Sequence, residues 1–231
     1  MEEYQRNFIR FLRETGKLVF GEFTVESGRV VPYYIQLGEN SDGANTARLG
    51  RAFANALNNS EVLYDILYGI PEKGIALAIA TSLQLLNDGT SVPWFYAREN
   101  VKMRGAESGD PIKSRIVGST PTDGQKIAML DDVFTTGNSK LNAQRLLQSL
   151  GGFAYPLLAV AVNRQEISEE GRNALELFVA ETGTTVISIV TISQILAYLR
   201  ETEPENPDLV RIANYLGEYG TDEAKNQIGG I

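Results

Sequence analysis

An apolar run that ends in two carboxylates and turns through threonines and a glycine into a helix sets the fold of this chain. Residues 126–130 are mostly apolar and read as a buried strand of a parallel sheet. Leu141, Leu146, Leu147 and Leu150 then recur at helical spacing. Between strand and helix stand Asp131 and Asp132, then Thr135, Thr136, Gly137, Asn138 and Ser139. A loop that joins a parallel strand to a helix lies at the carboxyl edge of its sheet, where α/β folds bind ligands. There the turn would offer backbone N–H groups and hydroxyls to an anion at a helix N-terminus, and Gly137 permits the tight backbone. Two adjacent carboxylates repel a bare phosphate, so they suit a ligand that also carries hydroxyls or brings Mg2+ with it. The bland reading is a strand followed by a capped helix, with both aspartates solvated. The residue order fits neither a Walker A loop nor a dinucleotide-binding turn.

The rest of the chain supplies further strand-to-helix units. Residues 3–15 form an amphipathic helix that Gly16 ends. Residues 18–25 and 30–37 are β-prone, with Ser27-Gly28-Arg29 as the turn between them. Asp42 is placed to cap a helix over 43–58. A buried strand over 65–70 runs through Pro71-Glu72-Lys73-Gly74 into a helix over 75–86, and 94–97 is a short strand. Residues 98–118 carry Arg98, Lys102, Arg104, Lys113 and Arg115 with little apolar periodicity, which reads as a lid or a disordered segment. A strand over 155–162 ends in Asn163-Arg164-Gln165-Glu166. Helices over 174–180, 191–199 and 208–215 and a strand over 186–190 follow, and 218–231 reads as a frayed polar tail.

At 231 residues the chain fits one large α/β domain with an appendage or two small ones, and 43% hydrophobic residues supply a core. No linker or internal repeat divides it. The chain has neither cysteine nor histidine, which rules out disulfides and the commonest catalytic base and metal ligand. A net charge of −8 argues against nucleic acid as a partner. No apolar run approaches the roughly 18 residues of a membrane span. The opening residues do not read as a signal peptide, so a cytoplasmic location is the expectation.

The stretch 129–139 resembles the phosphoribosyl pyrophosphate (PRPP) signature of the type I phosphoribosyltransferases. In that family the acids hold the ribose hydroxyls and the turn wraps the 5′-phosphate. Phe20-Gly21-Glu22-Phe23-Thr24, Ser27-Gly28-Arg29 and Pro32-Tyr33-Tyr34 resemble the N-terminal hood of the orotate phosphoribosyltransferases, which lies against the pyrimidine ring. Lys73-Gly74 is similar to their turn on the pyrophosphate. Residues 98–118 match a loop that closes over the pyrophosphate from the other subunit. Asn163-Arg164-Gln165-Glu166 resembles their Asp-Arg-Gln-Glu, whose arginine binds the orotate carboxylate and ring. The likeness runs over roughly residues 4–217, in five segments that keep the family's order.

The resemblance implies an α/β fold of the type I phosphoribosyltransferases, a central parallel sheet flanked by helices with a small hood. It implies one domain over 1–231, with the hood at about 1–40 plus C-terminal elements and the core at about 43–200. The implied activity joins orotate to PRPP, giving orotidine 5′-monophosphate and pyrophosphate, with Mg2+ held mainly by PRPP and no metal ligands on the protein. The implied catalytic residues are Lys102, Arg98, Asp131 and Asp132. Lys73, Tyr33, Tyr34, Arg104, Thr135, Thr136, Gly137, Asn138, Ser139 and Arg164 would bind substrates. A homodimer with loop 98–118 shared in trans is also implied. The chain departs from the family at Glu26 and Glu99, where related bacterial enzymes usually have lysine, and at Arg104, where they have histidine; its loop is also longer. Acids in place of bases weaken pyrophosphate binding electrostatically, so the departures bear on rate and affinity more than on fold. They also motivate an alternative, a non-catalytic PRPP- or nucleotide-binding regulator on the same fold.

Overall fold

The computed structural model describes residues 1–25, 28–39, 42–98, 114–168 and 170–229. Glu26, Glu99, Lys102 and Arg104 therefore lie outside the described residues.

A six-stranded sheet has the order β5-β4-β3-β6-β7-β8. Its strands are β3 (Ile66–Gly69), β4 (Trp94–Ala97), β5 (Ile116–Gly118), β6 (Lys126–Phe134), β7 (Ala154–Asn163) and β8 (Thr185–Thr191). All neighbours pair in parallel except β4 and β5, which are antiparallel. The expected parallel sheet thus carries one antiparallel edge strand. It comes from the end of the stretch read as loop, where the short run Ile116–Gly118 pairs back on β4.

The sheet is buried on both faces, which is why its central strands read as continuous apolar runs. Side chains alternate between the faces. Ala128, Leu130, Leu157, Ala159 and Ile189 pack with α1 (Glu3–Glu14), α2 (Gly43–Asn59) and α3 (Lys73–Asn87) on one side. The same cluster takes in residues of α6 (Ile192–Thr202) and α7 (Asp208–Tyr219). On the other side Ile127, Met129, Leu158 and Val160 pack with α4 (Asn138–Gln148) and α5 (Ala174–Thr182). Ile127, Met129, Leu130, Leu158 and Val160 are fully buried; each side chain of this size contributes about 1.5–3 kcal/mol on burial.

The hood is a two-stranded antiparallel sheet of β1 (Leu18–Thr24) and β2 (Val30–Ile35). Its inner residues Leu18, Val31, Tyr33 and Ile35 join the core cluster that covers the first face.

Local signals read from the sequence hold at several points. Gly16 follows α1 with φ +64°, and the Asp42 carboxylate accepts the Asn45 N–H at 2.7 Å to cap α2. Other readings need correction. The strand read over 126–130 continues to Phe134, so both aspartates are strand residues. The tail read as frayed contains α8 (Asp222–Gly229), where Ala224 is fully buried and the Thr221 N–H donates to the Gln165 carbonyl at 2.8 Å. Ala224, the buried Thr221 and the partly buried Ile228 carry that docking, and the polar composition of the segment gives little sign of it. The helix after the acids is also rotated from its leucine pattern. Its buried residues are Lys140, Ala143, Gln144 and Leu147, while Leu141 and Leu146 are only partly buried.

Candidate active site

The chain leaves β3 for β4 on one side and leaves β6 for β7 on the other. The crevice outside the carboxyl ends of β3 and β6 is therefore the topological switch point of the sheet. Two glycines set its geometry. A Cβ on Gly74 would lie 2.3 Å from the Leu130 carbonyl oxygen, and one on Gly69 would lie 2.5 Å from the Gly74 carbonyl oxygen. The start of α3 thus rests directly on β6, one residue before Asp131.

That contact brings Lys73 to the acids. Its Nζ lies 2.6 Å from Asp132 Oδ2, and the Asp132 Oδ1 accepts the Val133 N–H at 2.8 Å. Asp131 is held in the same way by different groups. Its Oδ1 accepts the Asp132 N–H at 2.8 Å, and its Oδ2 lies 2.6 Å from Lys140 Nζ. Both acids are buried, at 7% and 5% exposure. Burial pushes the Asp131 carboxyl above the usual carboxylate range, with Lys140 opposing the rise and Asp132 adding to it. Burial acts against the Lys73 charge, but the hydrogen bond and charge of Asp132 outweigh it and the pKa is raised.

After the acids the backbone turns at Gly137 (φ +82°), and no side chain caps the N-terminus of α4. Thr135 and Thr136 line a cleft of about 800 Å3 between the hood and the sheet edge, together with Val133, Arg164 and Glu166. The hood supplies Phe23 and Tyr34, with ring centroids 5.6 Å apart. Arg164 follows β7, buried at 7% exposure. Its Nη2 lies 2.5 Å from Glu166 Oε1 and its Nε donates to the Tyr33 hydroxyl at 3.3 Å. Burial acts against its charge, yet Tyr33 and Glu166 outweigh burial and hold its pKa above the ordinary arginine value.

Curated relatives align along nearly the whole chain. A protein of Photobacterium profundum named orotate phosphoribosyltransferase is 35% identical over 221 residues, covering 95% of this chain and 100% of the relative. One of Pseudomonas aeruginosa with the same name is 36% identical over 221 residues with the same coverage. The chain belongs to the orotate phosphoribosyltransferase family. Among solved structures, the crystal structure of orotate phosphoribosyltransferase from Francisella tularensis superposes with a TM-score of 0.77 at 26% identity, covering 93% of this chain and 100% of that one. That likeness gives the type I phosphoribosyltransferase fold. No family model matches the sequence.

Set against the residues expected of an orotate phosphoribosyltransferase, the structure joins Lys73 to Asp132 and gathers Tyr34, Thr135, Thr136 and Arg164 on one cleft. Tyr33 needs correction as a substrate contact. It is 1% exposed, faces the core and accepts from Arg164; strand alternation turns Tyr34 to the cleft and its neighbour inward. Asn138 opens the first turn of α4, and Ser139 faces a separate cavity of about 300 Å3 shared with Tyr68 and Asn142. Arg98 follows β4, where its N–H donates to the Arg115 carbonyl and its Nη1 to that of Ser114. The sequence reading passed over Phe23, Glu166 and Lys140. Phe23 and Glu166 stood inside the quoted motifs. Lys140 gave no signal, because a lysine beside Leu141 reads as solvent-facing.

Proposed function

We propose that this chain transfers the phosphoribosyl group of PRPP to orotate, giving orotidine 5′-monophosphate and pyrophosphate in pyrimidine synthesis. The cleft carries the reading: a guanidinium, two threonines before an uncapped helix N-terminus and an aromatic pair converge on one space beside two buried aspartates. The orotate ring packs against Phe23 and Tyr34. Its carboxylate takes the Arg164 Nη1, since Nε and Nη2 are engaged by Tyr33 and Glu166. Thr135, Thr136 and the N–H groups that open α4 hold the 5′-phosphate. Asp131 and Asp132 accept the ribose hydroxyls.

The orotate ring nitrogen, entering as an anion, forms the new bond to the anomeric carbon while the bond to pyrophosphate breaks. The absence of histidine is no obstacle, because no protein base is needed. Negative charge grows on the leaving pyrophosphate, and positive groups that meet it there lower the barrier. Lys73 does so by leaving Asp132, which its 46% side-chain exposure permits. Arg98 and Lys102 add to it. Mg2+ enters with PRPP as part of the substrate and shields its pyrophosphate.

The working unit is a homodimer in which residues 98–118 close over the neighbour's PRPP. A stripe on α3 supports this: Ala76, Ile79, Leu83 and Leu86 recur at helical spacing, and the two leucines are 57% and 54% exposed. No observation favours a non-catalytic regulator. The deciding experiment adds PRPP and Mg2+ to pure protein and orotate. Orotate absorbance falls if the reading is right; a flat trace with intact, PRPP-binding protein refutes it.

A further inference from the structure

Two lysines serve the two acids, and they are not equivalent. Lys73 is half-exposed at the mouth of the crevice, whereas the Lys140 side chain is 5% exposed. Lys140 is the third residue of α4, in its first turn. Aligned backbone dipoles make that end of a helix positive, so a cation there is disfavoured. Burial of an ammonium is disfavoured as well. A lysine stays in such a place only if a charged partner offsets both penalties, and Asp131 is that partner at 2.6 Å. Lys140 Nζ also donates to Ser139 Oγ at 3.1 Å, which fixes its end. Asp131 is gripped from two sides, by the Asp132 N–H on Oδ1 and by Lys140 on Oδ2. Each oxygen keeps a further lone pair for a hydroxyl.

We propose that Lys140 is a positioning residue: it holds Asp131 as a fixed, charged acceptor for a ribose hydroxyl, while Asp132 is the acid that exchanges its lysine for the substrate. The role of Asp131 toward ribose rests on the function proposed above; the grip of Lys140 on it does not. The charged groups that face Asp131 are Lys140 from α4, Asp132 on its own strand and Lys73 from α3. Without Lys140, burial and the charge of Asp132 would drive Asp131 to take up a proton. A protonated Asp131 would turn an O–H outward in place of an acceptor. Lys140 thereby sets the lower pH limit of the working site.

The test follows the Asp131 carboxyl by 13C NMR in the full chain without substrates, assigned with Asp131→Asn. Lys140→Gln removes the charge and leaves a neutral amide donor on a side chain one atom shorter. In it Asp131 should titrate at least about one pH unit higher than in the wild type, a tenfold change in proton affinity. The kcat/KM for PRPP should then fall by up to about tenfold on the acid side of the Asp131 titration and change little on its alkaline side, a pH-dependent loss that a packing defect would not produce. Identical Asp131 titrations in the two proteins overturn the proposal. If Lys140→Gln does not fold, the wild type decides. Its Lys140 ammonium 15N resonance must shift with the Asp131 carboxyl as pH falls, and two unrelated midpoints overturn the proposal. A wild type that titrates as expected but leaves orotate untouched sinks the proposed activity and leaves the Lys140–Asp131 assignment standing.

Discussion

Asp131 and Lys140 form a buried pair, and breaking one partner of such a pair costs far more than removing both. Asp131→Asn alone should lose about 3–5 kcal/mol of stability, because it strands a buried ammonium. Asp131→Asn with Lys140→Met should return close to the wild type; urea unfolding of the two variants side by side checks this. Asp132→Asn should be milder for the fold, since Lys73 can turn to water, yet it should still abolish turnover. The pH dependence has a definite sign. The folded Asp131 pKa lies above its ordinary value of 3.8, so between those two pH values the folded chain keeps a proton that the unfolded chain has lost. Stability attributable to this group therefore falls as pH rises through that window. Difference titrations of wild type against the double variant should show the slope disappear. Arg164→Ala breaks the pair with Glu166 as well as the proposed orotate contact. It should raise the orotate KM, by a contact worth about 1.5–3 kcal/mol, with little change in PRPP affinity. Calorimetry that finds equal losses for both ligands would remove Arg164 from the orotate subsite.

Among the elements, α3 is the one whose placement the site depends on. Two glycines let it approach its neighbours. A Cβ on Gly50 would meet the Ala80 carbonyl oxygen at 2.4 Å, between α2 and α3, and one on Gly74 would meet that of Leu130 at 2.3 Å. Both contacts are to backbone, so the helix must move in either alanine variant, at about 1–3 kcal/mol. Only Gly74→Ala moves α3 where Lys73 reaches Asp132. It should lower kcat by about a hundredfold, the scale of a 1 Å misplacement, whereas Gly50→Ala should stay near wild-type kcat at a similar cost in melting temperature. Equal kcat losses would mean that helix position at Gly74 has no special weight. Most elements were legible before the structure because their apolar periods are long. The phase of α4 was not: Lys140 and Gln144 occupy its buried face while Leu141 and Leu146 sit at its margin. Period reports a helix, but polarity misreports its inner face where a charged side chain such as Lys140 finds a partner inside.

At the scale of the whole molecule, an apolar stripe on α3 faces away from its own core. Leu83→Glu with Leu86→Glu should leave the fold cooperative, since both side chains are more than half exposed. In sedimentation it should shift the protein to a single monomeric species and abolish turnover. A dimer that survives the pair of glutamates would place the interface elsewhere. The proposed sharing of residues 98–118 between subunits has its own test. Lys102→Ala and Asp132→Asn, each inactive alone, should regain activity on mixing once subunits exchange, because one site of the mixed dimer keeps both an intact loop and intact acids. Proven exchange without activity would refute the shared site.

The strand-to-helix units, the ligand edge and the order of the family's motifs were readable from residue types and spacing, because each depends on a local period or a contiguous turn. The pairings were not. Lys73 and Asp132 are 59 residues apart and Arg164 and Tyr33 are 131 apart; the adjacency of β3 and β6 brings the first pair together, and the packing of the hood on the main sheet brings the second. The burial of both aspartates has the same origin, since β6 has neighbours on both sides and runs to Phe134. Side-chain direction followed from packing as well: Tyr33 and Tyr34 are adjacent in the chain, yet one closes the core and the other opens on the cleft. A contact between distant residues is a property of how layers stack, and no window of sequence contains both of its partners.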